Sequence, residues 1–243
     1  MLRHGTVAAS VLAALVALPI GAHGAIAEHE VFSLPGWDHA LPSRQYSGFI
    51  SAEAGAPTAG HERRLHYILV LAENDPQDAP VVLWTNGGPG CSSLEGYMNE
   101  MGPLRPDPDD PDRKRLTRNP YTWQLHANML YLEHGVGVGF SYSNGGDVQL
   151  DDEADARDVH NFLRNFFFPQ EGQEGYPELA GNEFFLTGES YAGVPTPLEF
   201  SLAHRSILHS KPVPFSTPHL ADCVWMSRVA PHRSRSSGTA TMC

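Results

Sequence analysis

The chain contains 243 residues, which is enough for one sizeable domain with a full hydrophobic core. It carries 16 basic and 28 acidic residues, which gives a net charge of −12. This balance argues against nucleic acid or an anionic membrane as a partner, and it fits a protein of an acidic compartment.

The N-terminus has the pattern of a secretory signal peptide. A short basic lead at residues 1–4 is followed by an apolar run, Val7 to Ala22, and then by small residues that suit a signal peptidase. We therefore expect residues 1–27 to be removed, with entry into the secretory pathway and no membrane contact after cleavage. The alternative is an uncleaved membrane anchor.

Short apolar runs downstream predict strands, and one amphipathic segment predicts a helix. Strands are expected at residues 65–71, 81–84, 129–132 and 184–186. Residues 151–168 have the helical pattern, with an acidic first turn, Pro169 beyond the end, and an apolar face made of Ala156, Val159, Phe162, Leu163, Phe166 and Phe167. The charged, proline-rich segment 103–118 is expected to be a surface loop. This order of elements indicates an α/β fold.

The last predicted strand runs into the sequence Gly188-Glu189-Ser190-Tyr191-Ala192-Gly193. A glycine two places before a serine, with small residues after it, is typical of a nucleophile elbow, in which a strand turns sharply and lifts the serine hydroxyl above the sheet. The usual pattern has glycine where Ala192 stands. By itself the motif is weak, and an ordinary strand-to-helix turn is the simpler interpretation.

Two other stretches strengthen the interpretation. Residues 81–94 place a glycine-rich run, Asn86 to Gly90, after a predicted strand, and residues 119–143 end in Gly-Val-Gly-Phe-Ser-Tyr-Ser. With residues 188–193, these motifs in this order resemble the serine carboxypeptidases, and most closely the cathepsin A and carboxypeptidase Y group. The resemblance extends from about Val31 to about Leu198.

The resemblance implies an α/β-hydrolase fold with a mixed central sheet, incomplete in this chain. It also implies a serine-type carboxypeptidase that releases C-terminal residues from peptides through an acyl-enzyme, with no cofactor and no metal. The expected partner is a peptide or protein C-terminus, and a homodimer is an open alternative to a monomer. The protein would be secreted or reside in a lysosome or vacuole.

The resemblance also assigns roles to six residues. Ser190 would be the nucleophile, and the backbone amides of Gly88 and Tyr191 would stabilise the oxyanion. The substrate carboxylate would be bound by Asn86, Gly87 and Glu189. A protonated Glu189 can donate an O–H to that carboxylate, whereas an ionised one would repel it, and this would favour acidic conditions.

The catalytic Asp and His of the resembled family lie well downstream of the serine. After Ser190 this chain offers residues in no comparable context, namely His204, His209, His219, Asp222 and His232. His126 and His134 precede the serine, so neither follows the Ser…Asp…His order of this fold. We therefore expect a carboxypeptidase-type domain at residues 28–200 that is catalytically incomplete in the chain as written. The alternatives are a non-catalytic carboxylate-binding protein and an acyltransferase of the same family.

Three local features depart from the family pattern. Residues 201–243 lose its character and end in low complexity, so a divergent, disordered tail is expected. Residues 133–137 replace a stretch that normally contains proline and alanine, and we expect only a modest local change. Cys91 is one of three cysteines, and the resemblance gives it a disulfide partner far downstream, so we expect an unpaired thiol.

Overall fold

The computed structural model describes residues 26–55, 60–145 and 151–193, together with the backbone of residues 224–229 and 239–242. Its single α-helix within those ranges is α1 (Asp152–Phe167). Its strands are β1 (Glu30–Val31), β2 (Gln45–Ser51), β3 (Arg63–Val70), β4 (Val81–Thr85), β5 (Leu104–Pro106), β6 (Leu116–Arg118), β7 (Asn128–Leu132), β8 (Tyr142–Ser143), β9 (Phe184–Gly188), β10 (Val224–Val229) and β11 (Thr239–Met242). Within the described parts, no helix is long and apolar enough to cross a bilayer.

A mixed sheet forms the centre of the molecule. Its strand order is β1-β2-β3-β7-β4-β9-β10-β11, and β8 pairs with the start of β3. Strands β2, β3 and β7 pair antiparallel, whereas β4 runs parallel to both β7 and β9. Every residue of β4 and β7 is buried, as expected for central strands that are covered on both faces. The α/β class and the mixed sheet predicted from the sequence are confirmed.

The predicted strands and helix correspond to observed elements. Residues 81–84, 129–132 and 184–186 fall on β4, β7 and β9, and residues 65–71 fall on β3 except for residue 71, which follows its end. Helix α1 begins where the sequence predicts, because the Asp151 side chain caps it by accepting a 2.7 Å hydrogen bond from the amide of Ala154. All six residues of the predicted apolar face are buried.

The predicted surface loop at residues 103–118 is wrong in part. Its two ends form the antiparallel pair β5–β6, in which Leu104 is buried and lies opposite Arg118. Only the middle of the segment is an exposed turn, where Asp110 accepts hydrogen bonds from the amides of Lys114 and Arg115. The loop was predicted from the proline and charged residues of this segment. Most of those residues lie in the turn and at the ends of the two strands, where they are compatible with a short strand pair.

Two of the predicted segments lie largely outside the described residues. Residues 1–25 of the predicted signal peptide lie outside the described residues. Its last two positions are described, and a short 3₁₀ turn, Ala27–His29, begins there. In the predicted tail, the backbone of β10 pairs antiparallel with β9, and β11 pairs antiparallel with β10. The disorder predicted for residues 201–243 as a whole stays a prediction.

Apolar clusters cover the two faces of the sheet. On one face, α1 packs against β3, β4, β7 and β9 through a cluster that includes Phe162, Phe166 and Tyr176. On the other face, Trp84, Tyr97 and Tyr131 pack with the segments that follow β4. Large aromatic side chains therefore pack on both faces of the sheet at β4. This packing fixes the position of the strand's C-terminal end relative to its neighbours.

We predict that Phe166→Ala lowers the free energy of unfolding by about 3–5 kcal/mol, because it empties a fully packed site. The Phe166 ring is completely buried, and its centroid lies 4.8 Å from that of Tyr176 and 5.9 Å from that of Phe162. Urea unfolding followed by circular dichroism measures the change. The control is Phe168→Ala, at a ring that is 48% exposed. Equal losses in the two variants would contradict this account of the core.

Candidate active site

Strands β4 and β9 bring two of the sequence motifs together. They run parallel in register, with Thr85 opposite Gly188, so the chain leaves both strands at the same edge of the sheet. The amide of Glu189 donates a 3.3 Å hydrogen bond to the carbonyl of Thr85, which continues the pairing past the strand end. Residues 86–90 and 189–193 therefore lie side by side, although a long stretch of sequence separates them.

The chain turns sharply after β9. Ser190 has a φ of +53°, a left-handed conformation that few residues other than glycine adopt, and residues 190–193 form a short 3₁₀ turn. Gly188 has no space for a side chain, because an added Cβ would lie 2.7 Å from the Cβ of Ala192 and 2.8 Å from the Thr85 carbonyl. The serine is exposed at the top of this turn. A strained backbone held by packed neighbours is characteristic of functional turns.

The glycine-rich run after β4 packs directly against that turn. A Cβ on Gly87 would lie 2.6 Å from the amide nitrogen of Tyr191 and 3.0 Å from the Cβ of Ser190. Gly88 has a φ of +113°, and the amide of Cys91 donates to the Gly87 carbonyl at 3.0 Å, which folds the run back on itself. The structure thus brings together the backbone of Gly87 and Gly88 and that of Ser190 and Tyr191. Cys91 is unpaired and exposed.

The side chain of Asn86 is buried and held at both ends of its amide. Its Oδ1 accepts from Trp84 Nε1 at 2.8 Å and from the amide of Gly96 at 3.2 Å. Its Nδ2 donates to Glu189 Oε1 at 2.9 Å and to Glu100 Oε1 at 3.3 Å. Because the oxygen side is satisfied within the protein, the N–H side must face the two carboxyl groups.

Glu100 is a candidate site residue that the sequence analysis missed. It ends a π-helical turn, Gly96–Glu100, and nothing in the sequence separates it from the chain's other acidic residues. The residue as a whole is exposed, but its carboxyl lies against Asn86. Partial burial and then the charge of Glu189 raise the pKa of Glu100, and the hydrogen bond from Asn86 only partly offsets this. The negative charge of Glu189 beside the same amide thus favours the protonated form of Glu100.

Residues 133–137, where the sequence departs from the expected pattern, lie beneath this site. Glu133 accepts from the Ser92 hydroxyl, from His66 Nδ1 at 2.9 Å and from the Phe140 amide at 2.9 Å. Burial raises the pKa of Glu133, but these hydrogen bonds outweigh it and hold the value below its ordinary range. The ring of His134 lies between Asp155 of α1 and the backbone of Asn86.

The phenol of Tyr191 is tied to the start of α1. Its hydroxyl donates to Asp152 Oδ1 at 2.6 Å, and this bond raises the pKa of Tyr191. In the part of the chain that the structure describes, no histidine or carboxylate hydrogen-bonds to the Ser190 hydroxyl. The downstream histidines and Asp222 lie outside the described residues. Among the side chains that are described, no cluster has the make-up of a metal site.

Comparisons with known proteins agree with this geometry. A family model described as serine carboxypeptidase matches residues 35–211. Serine carboxypeptidase 1 of Hordeum vulgare is 42% identical over 181 residues, which cover 73% of this chain and 34% of that protein. The lysosomal protective protein of Mus musculus is 42% identical over 170 residues, which cover 70% of this chain and 32% of that protein. The chain thus spans about a third of the length of these relatives.

A solved structure gives the same picture of the fold. The crystal structure of Kex1ΔP, a prohormone-processing carboxypeptidase from Saccharomyces cerevisiae, superposes with a TM-score of 0.58 and 24% sequence identity. The match covers 74% of this chain and 39% of that one. With the matching family model, it confirms the predicted α/β-hydrolase fold.

We predict that Gly87→Ala destabilises the protein by about 1–3 kcal/mol, because the added methyl group overlaps the backbone of the serine turn. Urea unfolding gives the change in free energy, and the shift of the Tyr191 amide in ¹H–¹⁵N spectra reports the displacement. Gly181→Ala is the control, since an added Cβ there has no heavy atom within 4 Å. If Gly87→Ala behaved like Gly181→Ala, the close approach of the two loops would be refuted.

Proposed function

Because the chain belongs to the serine carboxypeptidase family, we propose that Ser190 is the nucleophile of a serine-type carboxypeptidase that releases C-terminal residues from peptides. The observation that carries this proposal is the Asn86 amide, held between Glu100 and Glu189 next to the strained Ser190. A nucleophile beside a dedicated carboxylate-binding group suits a substrate whose scissile bond is one residue from a free carboxylate.

In the proposed reaction, the hydroxyl oxygen of Ser190 attacks the carbonyl carbon of the last peptide bond. The amides of Gly88 and Tyr191 donate to the oxyanion, and removing one such donor typically costs about 3 kcal/mol of transition-state stabilisation. A base takes the serine proton and passes it to the leaving amine, so that the C–N bond breaks and the terminal residue departs. Water then hydrolyses the acyl-enzyme. As the resemblance implies, we propose that the base is the family's catalytic histidine, which lies well downstream of the serine; the histidines after Ser190 in this chain stand in no comparable context.

The carboxylate site explains both the choice of substrate and the expected pH preference. Asn86 Nδ2 and the Gly87 backbone would donate to the terminal carboxylate, together with a protonated carboxyl of the Glu100–Glu189 pair. If both glutamates were ionised, three negative charges would meet at one amide. The pKa of Glu100 is raised, so this carboxyl keeps its proton to a higher pH than an ordinary glutamate, and binding should weaken once that proton is lost.

The cellular location that we propose follows from the name of one relative and from the N-terminal sequence. The murine relative is named a lysosomal protein, and the chain begins with a signal-like sequence. We propose passage through the secretory pathway to the outside or to a lysosome or vacuole. The proposed partner is a free peptide or protein C-terminus, and a homodimer is an open alternative to a monomer.

We predict Ser190-dependent hydrolysis of a blocked dipeptide with a free carboxylate at acidic pH. The assay uses the 243-residue chain and a version extended with the C-terminal region of the Hordeum relative. We expect activity near background in the first and clear turnover in the second. Ser190→Ala should abolish turnover and fluorophosphonate labelling in the second, because removing the nucleophile leaves only residual catalysis. Ser143→Ala, at an exposed hydroxyl that bonds only locally, should leave both unchanged.

The outcomes separate the three candidate functions. Binding of the dipeptide by both versions without any turnover would favour a non-catalytic carboxylate-binding protein. Transfer of an acyl group from an acyl-glucose donor in preference to peptide hydrolysis would favour an acyltransferase. Efficient cleavage of the matching dipeptide amide would contradict the role given to the carboxylate site.

We predict that dipeptide affinity falls about tenfold as the pH is raised from acidic to neutral, because Glu100, whose pKa is raised by burial and by the charge of Glu189, loses its proton. Glu100→Gln and Glu189→Gln each replace one carboxyl with a neutral donor, so the fall should shrink to about threefold or less. Titrations on the Ser190→Ala background measure the dissociation constant without turnover. Glu171→Gln, at an exposed position away from the site, should behave as the parent. The same pH dependence in all variants would rule out this role for the pair.

A further inference from the structure

His134 lies between two hydrogen-bond acceptors. The residue is 9% exposed, its Nδ1 lies 2.7 Å from Asp155 Oδ2, and its Nε2 lies 3.3 Å from the backbone carbonyl oxygen of Asn86. A carbonyl oxygen only accepts hydrogen bonds, and so does an ionised carboxylate. A neutral imidazole carries one N–H and would turn a lone pair towards one of these oxygens. The imidazolium form has two N–H groups and satisfies both.

The charges around the ring favour this form. Helix α1 places Asp155 at the ring and Asp152 at the Tyr191 hydroxyl, and Glu100 and Glu189 contact the side-chain amide of Asn86. Next to His134 in sequence, Glu133 is engaged with His66 and Ser92. Further along α1, Arg63 pairs with Asp158 at 3.2 Å, and burial raises the pKa of Asp158 to about 6. The carboxylate of Asp155, 2.7 Å from the ring nitrogen, favours the charged form and opposes the positive end of the α1 dipole.

The contact with Asn86 fixes the orientation of a peptide group in the proposed site. The amide of Asn86 donates to Ser93 Oγ at 3.1 Å, and its side chain is held by Trp84 and Gly96. The carbonyl is the remaining polar group of this residue, and it points to His134. In a trans peptide the C=O and the next N–H point in opposite directions, so the Gly87 N–H faces away from His134.

We propose that His134, held as an imidazolium by Asp155, is a positioning residue that keeps the Asn86–Gly87 peptide turned so that the Gly87 N–H is available to a terminal carboxylate. The positioning role rests on the proposed function, which supplies the carboxylate ligand. The charge state of the His134 ring does not depend on it. The first turn of α1 then supports both halves of the site, since Asp155 acts through His134 on the glycine-rich run and Asp152 holds Tyr191 of the serine turn.

The charge state is tested without any activity. Long-range ¹H–¹⁵N spectra of the histidine rings, recorded from pH 5 to pH 9, distinguish a ring with two N–H groups from a ring with one. We expect the titration midpoint of His134 to lie about one pH unit or more above that of the exposed His126. Asp155→Asn should lower it to or below the His126 value. A His134 midpoint at or below that of His126 in the parent protein overturns the proposal.

The positioning role is tested by binding on the Ser190→Ala background. His134→Gln keeps a donor but cannot be charged, and we expect it to weaken binding of the free-carboxylate dipeptide about tenfold while affinity for the matching amide changes little. His126→Gln is the control. If His134→Gln fails to fold in urea unfolding, Asp155→Asn takes its place in the binding test. A charged ring with unchanged binding in these variants overturns the positioning role alone. A charged ring in a parent that binds no dipeptide contradicts the proposed function and the positioning role with it.

Discussion

The parallel pairing of β4 with β9 is the constraint on which the candidate site depends. It sets Thr85 opposite Gly188. The residues that follow these two strand ends therefore lie next to each other. Asn86 and Glu189 lie within hydrogen-bonding distance only because the register has this value, since a shift of one strand by one residue would turn one of the two side chains to the other face. The aromatic clusters on the two faces of the sheet hold β4 in place and so hold the register.

Close backbone contact is the second requirement of this arrangement. Gly87 and Gly188 lack side chains at the points where the two loops touch, and each would meet backbone or Cβ atoms well under 3.0 Å away if a Cβ were added. The left-handed conformation of Ser190 persists because these contacts leave the turn no alternative. Because Gly87 and Gly188 carry no side chains, the turn at Ser190 and the side-chain amide of Asn86 can lie close together.

The sequence predicted the elements that depend on local pattern. Strands β3, β4, β7 and β9 follow apolar runs, and α1 follows a helical apolar period with an aspartate cap. The Gly-x-Ser turn was also visible, because its residue types report backbone geometry directly. Glu100 could not be found in this way, since a π-helical turn brings it to Asn86 only in three dimensions. The bond between His134 and Asp155 was missed for the same reason, and the β5–β6 pair was hidden by the charged turn between its strands.

The long separation between the two halves of the site has a consequence for synthesis. Asn86 and Glu189 are 103 residues apart. At the usual rate of about 5–20 residues per second, roughly 5–20 seconds pass on the ribosome between the appearance of β4 and that of β9. During that interval one edge of β4, a strand whose residues are all buried in the folded protein, has no partner, and an unpaired edge can pair with other chains. The order in which the strands emerge therefore leaves the nascent chain open to such pairing until Phe184 and its neighbours arrive.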